Sequence, residues 1–343
     1  MAKRPTIEQL AQEAGVSVAT VDRVLNKRLP VRGATAARVY EAAKRIGYHA
    51  SGLIAQRMRE ELPEIRLGFL LLKTSQPFYG PFAQELEKAV AQVSGIRGSC
   101  IIDTVASQDK DQIVAKLEAL AKRVSAIAVV APEHPTLTAT VERLKLAGVP
   151  VFALLSDFAA GLRQGYVGVQ NGKVGRTAAW MISRSARKPG KVVLFVGSHR
   201  FYGHELREMG FRAYFRENMP EFTVLDTIVN LEAATLTHEM LDTLCRDNPD
   251  LVGCYVAGGG MEGAIAALRE MPKERRPVTV CHEITPDSRA ALAENILTMV
   301  ISTPTAAICR ELVARMVETV QSDTPVPPSQ TFLPFDIMLP ESV

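Results

Sequence analysis

Residues 6–26, TIEQLAQEAGVSVATVDRVLN, most narrow what this chain can fold into, because they spell two short helices joined by a single tight turn. Thr6 is suited to cap a first helix, and Gln9 three residues on completes a capping box. Ile7, Leu10, Ala11 and Ala14 recur at helical spacing and give one apolar face. Gly15 supplies the left-handed backbone that ends a helix in a turn. Ser17 then caps a second helix whose Val21, Val24 and Leu25 face inward, leaving Val18, Ala19, Asp22 and Arg23 outside. Small residues with one Arg allow close approach to a DNA major groove, where Arg is the usual reader of guanine. An ordinary helical hairpin is the alternative.

Charge counts against that alternative. Residues 1–59 carry eleven Lys and Arg against four acids, a net of +7, whereas the whole chain is only +3. A basic module on a slightly acidic body implies phosphate contacts from one end only. With 343 residues, 47% of them hydrophobic, the chain has enough material for two or three domains with sizeable cores. Its five cysteines, at 100, 245, 254, 281 and 309, are odd in number and scattered. That predicts reduced thiols in a cytoplasmic protein rather than a disulfide framework or a zinc site. A polar N-terminus without a signal peptide agrees, and no run is long enough to span a membrane.

A third helix is expected from Thr35 to Gly47, with Val39, Ala42, Ala43 and Ile46 inward and Arg38, Lys44 and Arg45 outside. Tyr40 and Tyr48 complete a small core, with phosphate contact as the other option.

Thr6, Ala11, Ala14-Gly15-Val16-Ser17, Ala19-Thr20-Val21, Arg23-Val24-Leu25-Asn26 and Gly47-Tyr48 stand in the pattern of one known headpiece. Residues 4–59 resemble the lactose-repressor (LacI/GalR) family of bacterial transcription regulators. The resemblance implies a homodimer, with a tetramer left open, on a near-palindromic operator of double-stranded DNA. Val18, Ala19 and Arg23 are expected to touch bases, and Thr6, Ser17, Thr20 and Asn26 to touch phosphates. Asp22 either reads a cytosine amine or restrains Arg23. In the family, the segment equivalent to 51–62 forms a hinge helix that wedges an apolar side chain into the minor groove. Met58 falls at the wedge position and Leu53 is its rival, because Ala50-Ser51 departs from the usual sequence and the segment is one residue longer.

From Ile65 onward, short apolar runs alternate with helical stretches, the pattern of parallel sheets covered by helices. Candidate strands lie at 66–72, 99–104, 126–131, 149–155, 166–169, 192–196, 223–228, 251–256, 278–282, 299–301 and 331–338. These are too many for one small sheet. The expected architecture is an all-α helix-turn-helix headpiece (1–50), a hinge (51–64), and an α/β two-lobed effector domain (65–343). That last domain resembles the type I periplasmic-binding-protein fold. Sequence order assigns 65–165 with 303–328 to one lobe and 166–302 with 329–343 to the other.

Ligands of such sheets bind beyond the carboxyl ends of strands, and two lobes make a cleft. Ser75, Phe78 and Tyr79 follow the first strand, where an aromatic can stack on a sugar ring. Asp157 follows the 149–155 strand and could accept a pair of sugar hydroxyls; a solvated loop Asp is the alternative. Asn171 stands where it could simply cap a helix. Arg207 matches the arginine with which the family grips ligands, and His199 lies on the loop before it. Glu283 follows the 278–282 strand, where relatives carry a ligand-contacting acid. His282 reads as core, and Gly258 stands where relatives often have Asn. No phosphate loop, nucleophile elbow, His-Glu-x-x-His or paired catalytic acids occur, so no catalytic residue, metal or cofactor is expected. The effector is expected to be a small molecule of the sugar or polyol class, with a protein or non-carbohydrate metabolite as the alternative.

Overall fold

The computed structural model describes residues 4–26, 31–60, 62–72, 77–106 and 108–343, with the side chains of 57–59 excepted. The chain divides into two compact units, one of Met1–Ile65 with Val93–Gly98 and one of Arg66–Gln92 with Ser99–Val343.

The described residues of the first unit form four helices: α1 (Ile7–Ala14), α2 (Val18–Asn26), α3 (Gly33–Arg45) and α4 (Ser51–Glu60). Both halves of the Thr6–Gln9 capping box form, and Gly15 takes φ 63° at the end of α1. Leu10, Ala11, Ala14, Val21, Val24, Leu25, Val39, Ala42 and Ala43 are buried together. Tyr48 is buried with them and Tyr40 packs alongside, so both belong to the core. Two expectations change. α3 starts at Gly33, two residues before the expected Thr35, which lies inside its first turn. Arg38 is not idle on the surface: its Nη2 donates to the carbonyls of Ala14 and Gly15, at 2.7 and 2.9 Å. Those carbonyls are left over at the end of α1 and need such partners. The hinge segment is helical as α4, and its Ile54 is fully buried in the headpiece core while Leu53 stays exposed.

The second unit is built from alternating strands and helices. In chain order they are β1 (Glu64–Leu72), α5 (Tyr79–Gln92), β2 (Arg97–Val105), α6 (Lys110–Ala121), β3 (Ala126–Val129), α7 (Pro135–Leu146), β4 (Val151–Leu154) and β5 (Gly165–Val169). There follow α8 (Asn171–Ser185), β6 (Lys191–Val196), α9 (Tyr202–Asn218), β7 (Thr223–Val224), β8 (Ile228–Val229), α10 (Ala234–Asp247), β9 (Leu251–Val256) and α11 (Met261–Glu270). The last are β10 (Val278–His282), α12 (Pro286–Ala293), β11 (Met299–Ser302), α13 (Thr305–Gln321), β12 (Ser329–Leu333) and β13 (Asp336–Met338). One sheet has the order β12-β5-β4-β3-β1-β2 and the other β13-β11-β10-β9-β6-β7, with β8 also on β6. The central strands are buried along their length, as helices on both faces require.

The lobe boundaries read from sequence order need correction. β5 pairs with β4 and β12 in the first sheet instead of opening the second lobe. The single strand expected at 331–338 is two strands in two sheets, β12 beside β5 and β13 antiparallel to β11. Pro334 stands at that break and has no N–H to give a ladder. The chain therefore passes between lobes three times: after β5, between β11 and α13, and at Pro334. The strand expected at 223–228 is also split, into β7 and β8. Among the described residues no helix is long and apolar enough to cross a membrane.

Candidate functional site

On the headpiece, α2 presents Val18, Ala19, Arg23 and Asn26 as exposed residues, with Thr6 and Ser17 exposed beside them. Ser17 Oγ accepts the Thr20 N–H at 3.2 Å, which fixes the start of α2. Thr20 is half-buried, its hydroxyl 2.9 Å from that of Ser17. The Asn26 amide donates to Asp22 Oδ1 at 2.6 Å, so Asp22 orders the end of this face. The result is an exposed surface of small residues with Arg23 among them. Leu53, one of the two wedge candidates, is exposed on α4; the side chain of Met58, the other, lies outside the described residues.

In the second unit a cavity of about 900 Å³, counted out to its open mouth, lies at the carboxyl ends of the strands. Phe78, Tyr79, Phe201, His204, Arg207, Glu232, Glu262, His282 and Glu283 line it, together with Gly258, Gly259 and Gly260. The first three supply flat apolar surface; Phe78 meets Tyr79 edge-on, with ring centroids 5.2 Å apart. Among the described residues six non-glycines have left-handed backbone, and three of them, Leu155, Glu232 and Glu283, line this cavity. Strain of that kind costs roughly 1–3 kcal/mol per residue and gathers where function needs it.

Arg207 is aimed by its neighbours. Its Nε donates to Asn171 Oδ1 at 2.7 Å and its Nη1 to the Ala257 carbonyl at 2.6 Å. Both acceptors are neutral, so they orient the guanidinium without cancelling its charge. Glycines set its position. A Cβ on Gly175 would lie 1.9 Å from the Arg207 carbonyl oxygen, and one on Gly210 would lie 2.1 Å from that of Gly172. Helices α8 and α9 thus touch backbone to backbone, which no side chain larger than hydrogen permits.

Glu283 extends the polar wall. Thr303 donates to it twice, from Oγ1 at 2.5 Å and from its backbone N–H at 3.0 Å. Burial nonetheless raises the Glu283 carboxyl above its usual value, with the Thr303 bonds and Arg207 opposing. Burial, with Glu232 and Glu283 nearby, also raises the Tyr79 hydroxyl, which stays a protonated donor. His282 shares a 2.7 Å hydrogen bond with the Tyr255 hydroxyl, and burial followed by Arg207 and His204 keeps it neutral.

Of the expected effector contacts, Phe78, Tyr79, Arg207 and Glu283 converge on the cavity. Asn171 is not among the lining residues and does not cap α8; buried, it braces Arg207 from behind. Asp157 is a correction. It is buried and turned away into an ion pair with Arg163, whose Nη2 lies 2.7 Å from Oδ2, and it also accepts from Gln330 at 3.1 Å. A carboxylate so engaged is part of the framework. His199 is a second correction: it is exposed, with Nδ1 3.9 Å from Glu208, away from the cavity. Ser75 lies outside the described residues. His204, Glu232, Glu262 and Phe201 were missed. The signals that could have found them are Gly197 and Gly258, whose lack of side chains makes room for Glu232 and His204. His282, read as core, is core and cavity wall at once. Among the described residues no group of three His, Cys, Asp or Glu could hold a metal.

Comparison with known proteins places both units. Residues 67–322 match the periplasmic binding protein domain, and residues 6–51 match the bacterial regulatory proteins of the lacI family. The transcriptional regulator GalR of Salmonella typhimurium is 26% identical over 264 residues, covering 75% of this chain and 73% of GalR. A transcriptional regulator from the aml 5′ region of Streptomyces limosus is 27% identical over 210 residues; the match covers 60% of this chain and 57% of that protein. Among solved structures, an Agrobacterium vitis solute-binding protein bound to α-D-tagatopyranose aligns with TM-score 0.73 at 19% identity, over 81% of this chain and 95% of its own. A Burkholderia graminis solute-binding protein in complex with D-arabinose gives 0.72 at 17%, over 82% and 97%. These two establish the two-lobed fold alone. With a lacI-type headpiece at residues 6–51 and a periplasmic-binding-protein-like domain over most of the remainder, the chain belongs to the LacI/GalR family of bacterial transcription regulators.

Proposed function

We propose that the chain binds a near-palindromic operator as a homodimer and is switched by a neutral polyhydroxylated small molecule held in the cavity around Arg207. The observation that carries the ligand half is the cavity wall itself. Aromatic faces, a guanidinium held by neutral partners, and acceptor carboxylates on strained backbone suit a hydroxylated ring. The solute-binding proteins that share this fold hold D-arabinose and α-D-tagatopyranose, which supports the same class. The observation that carries the DNA half is the exposed outer face of α2, with Arg23 as its one long donor. Val18 and Ala19 would pack on bases beside it, and Ser17, Thr20, Thr6 and Asn26 would reach phosphates.

Switching is linkage. A ligand that prefers one lobe arrangement changes operator affinity only by its differential affinity for the two states, typically about 1–3 kcal/mol.

The test is a thermal-shift screen of the full chain against neutral sugars and polyols. Ligand at about 100 times its Kd adds roughly 2.7 kcal/mol to the unit that binds it. A compound that raises the midpoint and also changes operator affinity in a mobility-shift assay supports the reading. If no compound shifts the midpoint, the ligand class is wrong. If a binder leaves operator affinity unchanged, the switch is wrong.

A further inference from the structure

One corner of the cavity is built with more care than a simple wall requires. A Cβ placed on Gly258 would lie 2.7 Å from His204 Cε1, 2.8 Å from His204 Nε2 and 3.6 Å from Glu232 Oε1. The imidazole edge and the carboxylate thus both border the space over one bare glycine. A second glycine serves the same acid, since a Cβ on Gly197 would lie 2.4 Å from Glu232 Cγ. The backbone of Leu231 and Glu232 is left-handed at both residues, with φ 50° and 58°. Buried Asn230 holds that turn: its Oδ1 accepts the Glu232 N–H, and its Nδ2 donates to Thr237 Oγ1 and the Gly259 carbonyl, each at 2.9 Å. His204 is placed from α9, one helical turn before Arg207, and its ring packs on Phe201 with centroids 5.3 Å apart. Both side chains line the cavity.

We propose that His204 and Glu232 form a second polar subsite, opposite in preference to Arg207, which takes a hydroxyl or ammonium donor of the ligand and turns away a carboxylate or phosphate. The carboxyl oxygens of Glu232 are hydrogen-bond acceptors, so an O–H or N–H is welcome there, whereas a carboxylate or phosphate brings acceptors against acceptors. The subsite rests on the function proposed above and narrows its ligand class.

The experiment is calorimetric titration of the full chain with D-glucose, D-galactose, D-allose and D-arabinose, alongside D-glucosamine, D-galactosamine, D-gluconate and D-galactonate. At least one neutral or amino sugar should bind, and its aldonic acid should bind at least roughly tenfold more weakly. Glu232→Gln keeps the side-chain shape and should shrink that gap. An amino sugar that outbinds its parent, and loses the advantage in Glu232→Gln, identifies ammonium as the donor; equal binding identifies hydroxyl. An aldonic acid that binds as well as its parent, or a gap unchanged in Glu232→Gln, overturns the subsite and leaves the proposed function standing. No binding by any of these compounds overturns both.

A measurement without ligand checks the geometry. Gly258→Ala should lower the unfolding midpoint in the wild-type background and have little effect in a His204→Ala background, because the close approach of the imidazole is then gone and Glu232 Oε1, at 3.6 Å, is at ordinary contact distance. Equal penalties in both backgrounds would show that His204 does not fill this corner, and the subsite would fall.

Discussion

Asp157 and Arg207 show how burial divides residues of one chemical kind between framework and site. Asp157 and Arg163 are both buried and satisfy each other, with Ser329 and Gln330 of β12 completing the network. Removing one partner of such a pair leaves a buried charge and costs about 3–5 kcal/mol. Asp157→Ala should therefore lower denaturant stability of the second unit by that amount. A fully stable variant that had lost ligand binding would instead make Asp157 a ligand contact. Arg207 was legible because it stands at a family position, whereas Asn171 was not, since its spacing suits a helix cap equally well. His282 carries a pH dependence whose sign follows from its environment. Its folded pKa lies well below the ordinary 6.5, so below that pH the unfolded chain takes up a proton that the folded chain refuses. Stability is fully present above about pH 6.5 and falls as the pH drops, by up to roughly 1.4 kcal/mol per pH unit. Urea midpoints of the second unit at pH 7.5 and 5.0 should differ less in His282→Gln, which keeps an acceptor for Tyr255, than in the wild type.

At the scale of elements, neighbouring residues of α4 divide its work. Ile54 is 0% exposed in the headpiece core and Leu53 is 42% exposed. Ile54→Ala should cost the headpiece about 2–5 kcal/mol, whereas an exposed substitution such as Leu53→Ala stays within about 0.5 kcal/mol. If Leu53 is the wedge, Leu53→Ala weakens operator binding in a mobility-shift titration with headpiece melting unchanged; unaltered affinity would leave Met58 as the wedge. The sequence suggested a hinge but not its anchoring, because alternation of apolar residues over ten positions does not say which one finds a core. The α8–α9 contact is the other case. Gly175→Ala would force a methyl against the Arg207 carbonyl, and overpacking against backbone costs about 1–3 kcal/mol or more. Both the unfolding midpoint and ligand affinity should fall together, since the same contact aims Arg207. A variant that loses neither would show that the two helices can separate without moving the arginine.

For the whole molecule, the three passages between lobes make the cavity a joint product of both sheets: Tyr79 and Leu155 come from the first lobe, Arg207, Glu232 and Glu283 from the second. A ligand touching both should favour one lobe arrangement, and Arg207→Ala should abolish the effect of ligand on operator affinity while leaving ligand-free operator binding intact. Loss of operator binding in the absence of ligand would assign Arg207 to the framework instead. What the sequence by itself determined is what short-range rules control. The first two headpiece helices, their starts at Thr6 and Ser17, the αL turn at Gly15 and most of the succession of strands and helices follow from spacing and local backbone preference. Only the tertiary structure decided where strands 165–169 and 329–338 pair, that Asp157 is spent on Arg163, and that His204 and Glu232 stand over bare glycines. Those outcomes join residues far apart in the chain. Each depends on which backbone comes close enough to exclude a side chain or satisfy a charge, and local pattern carries no record of that.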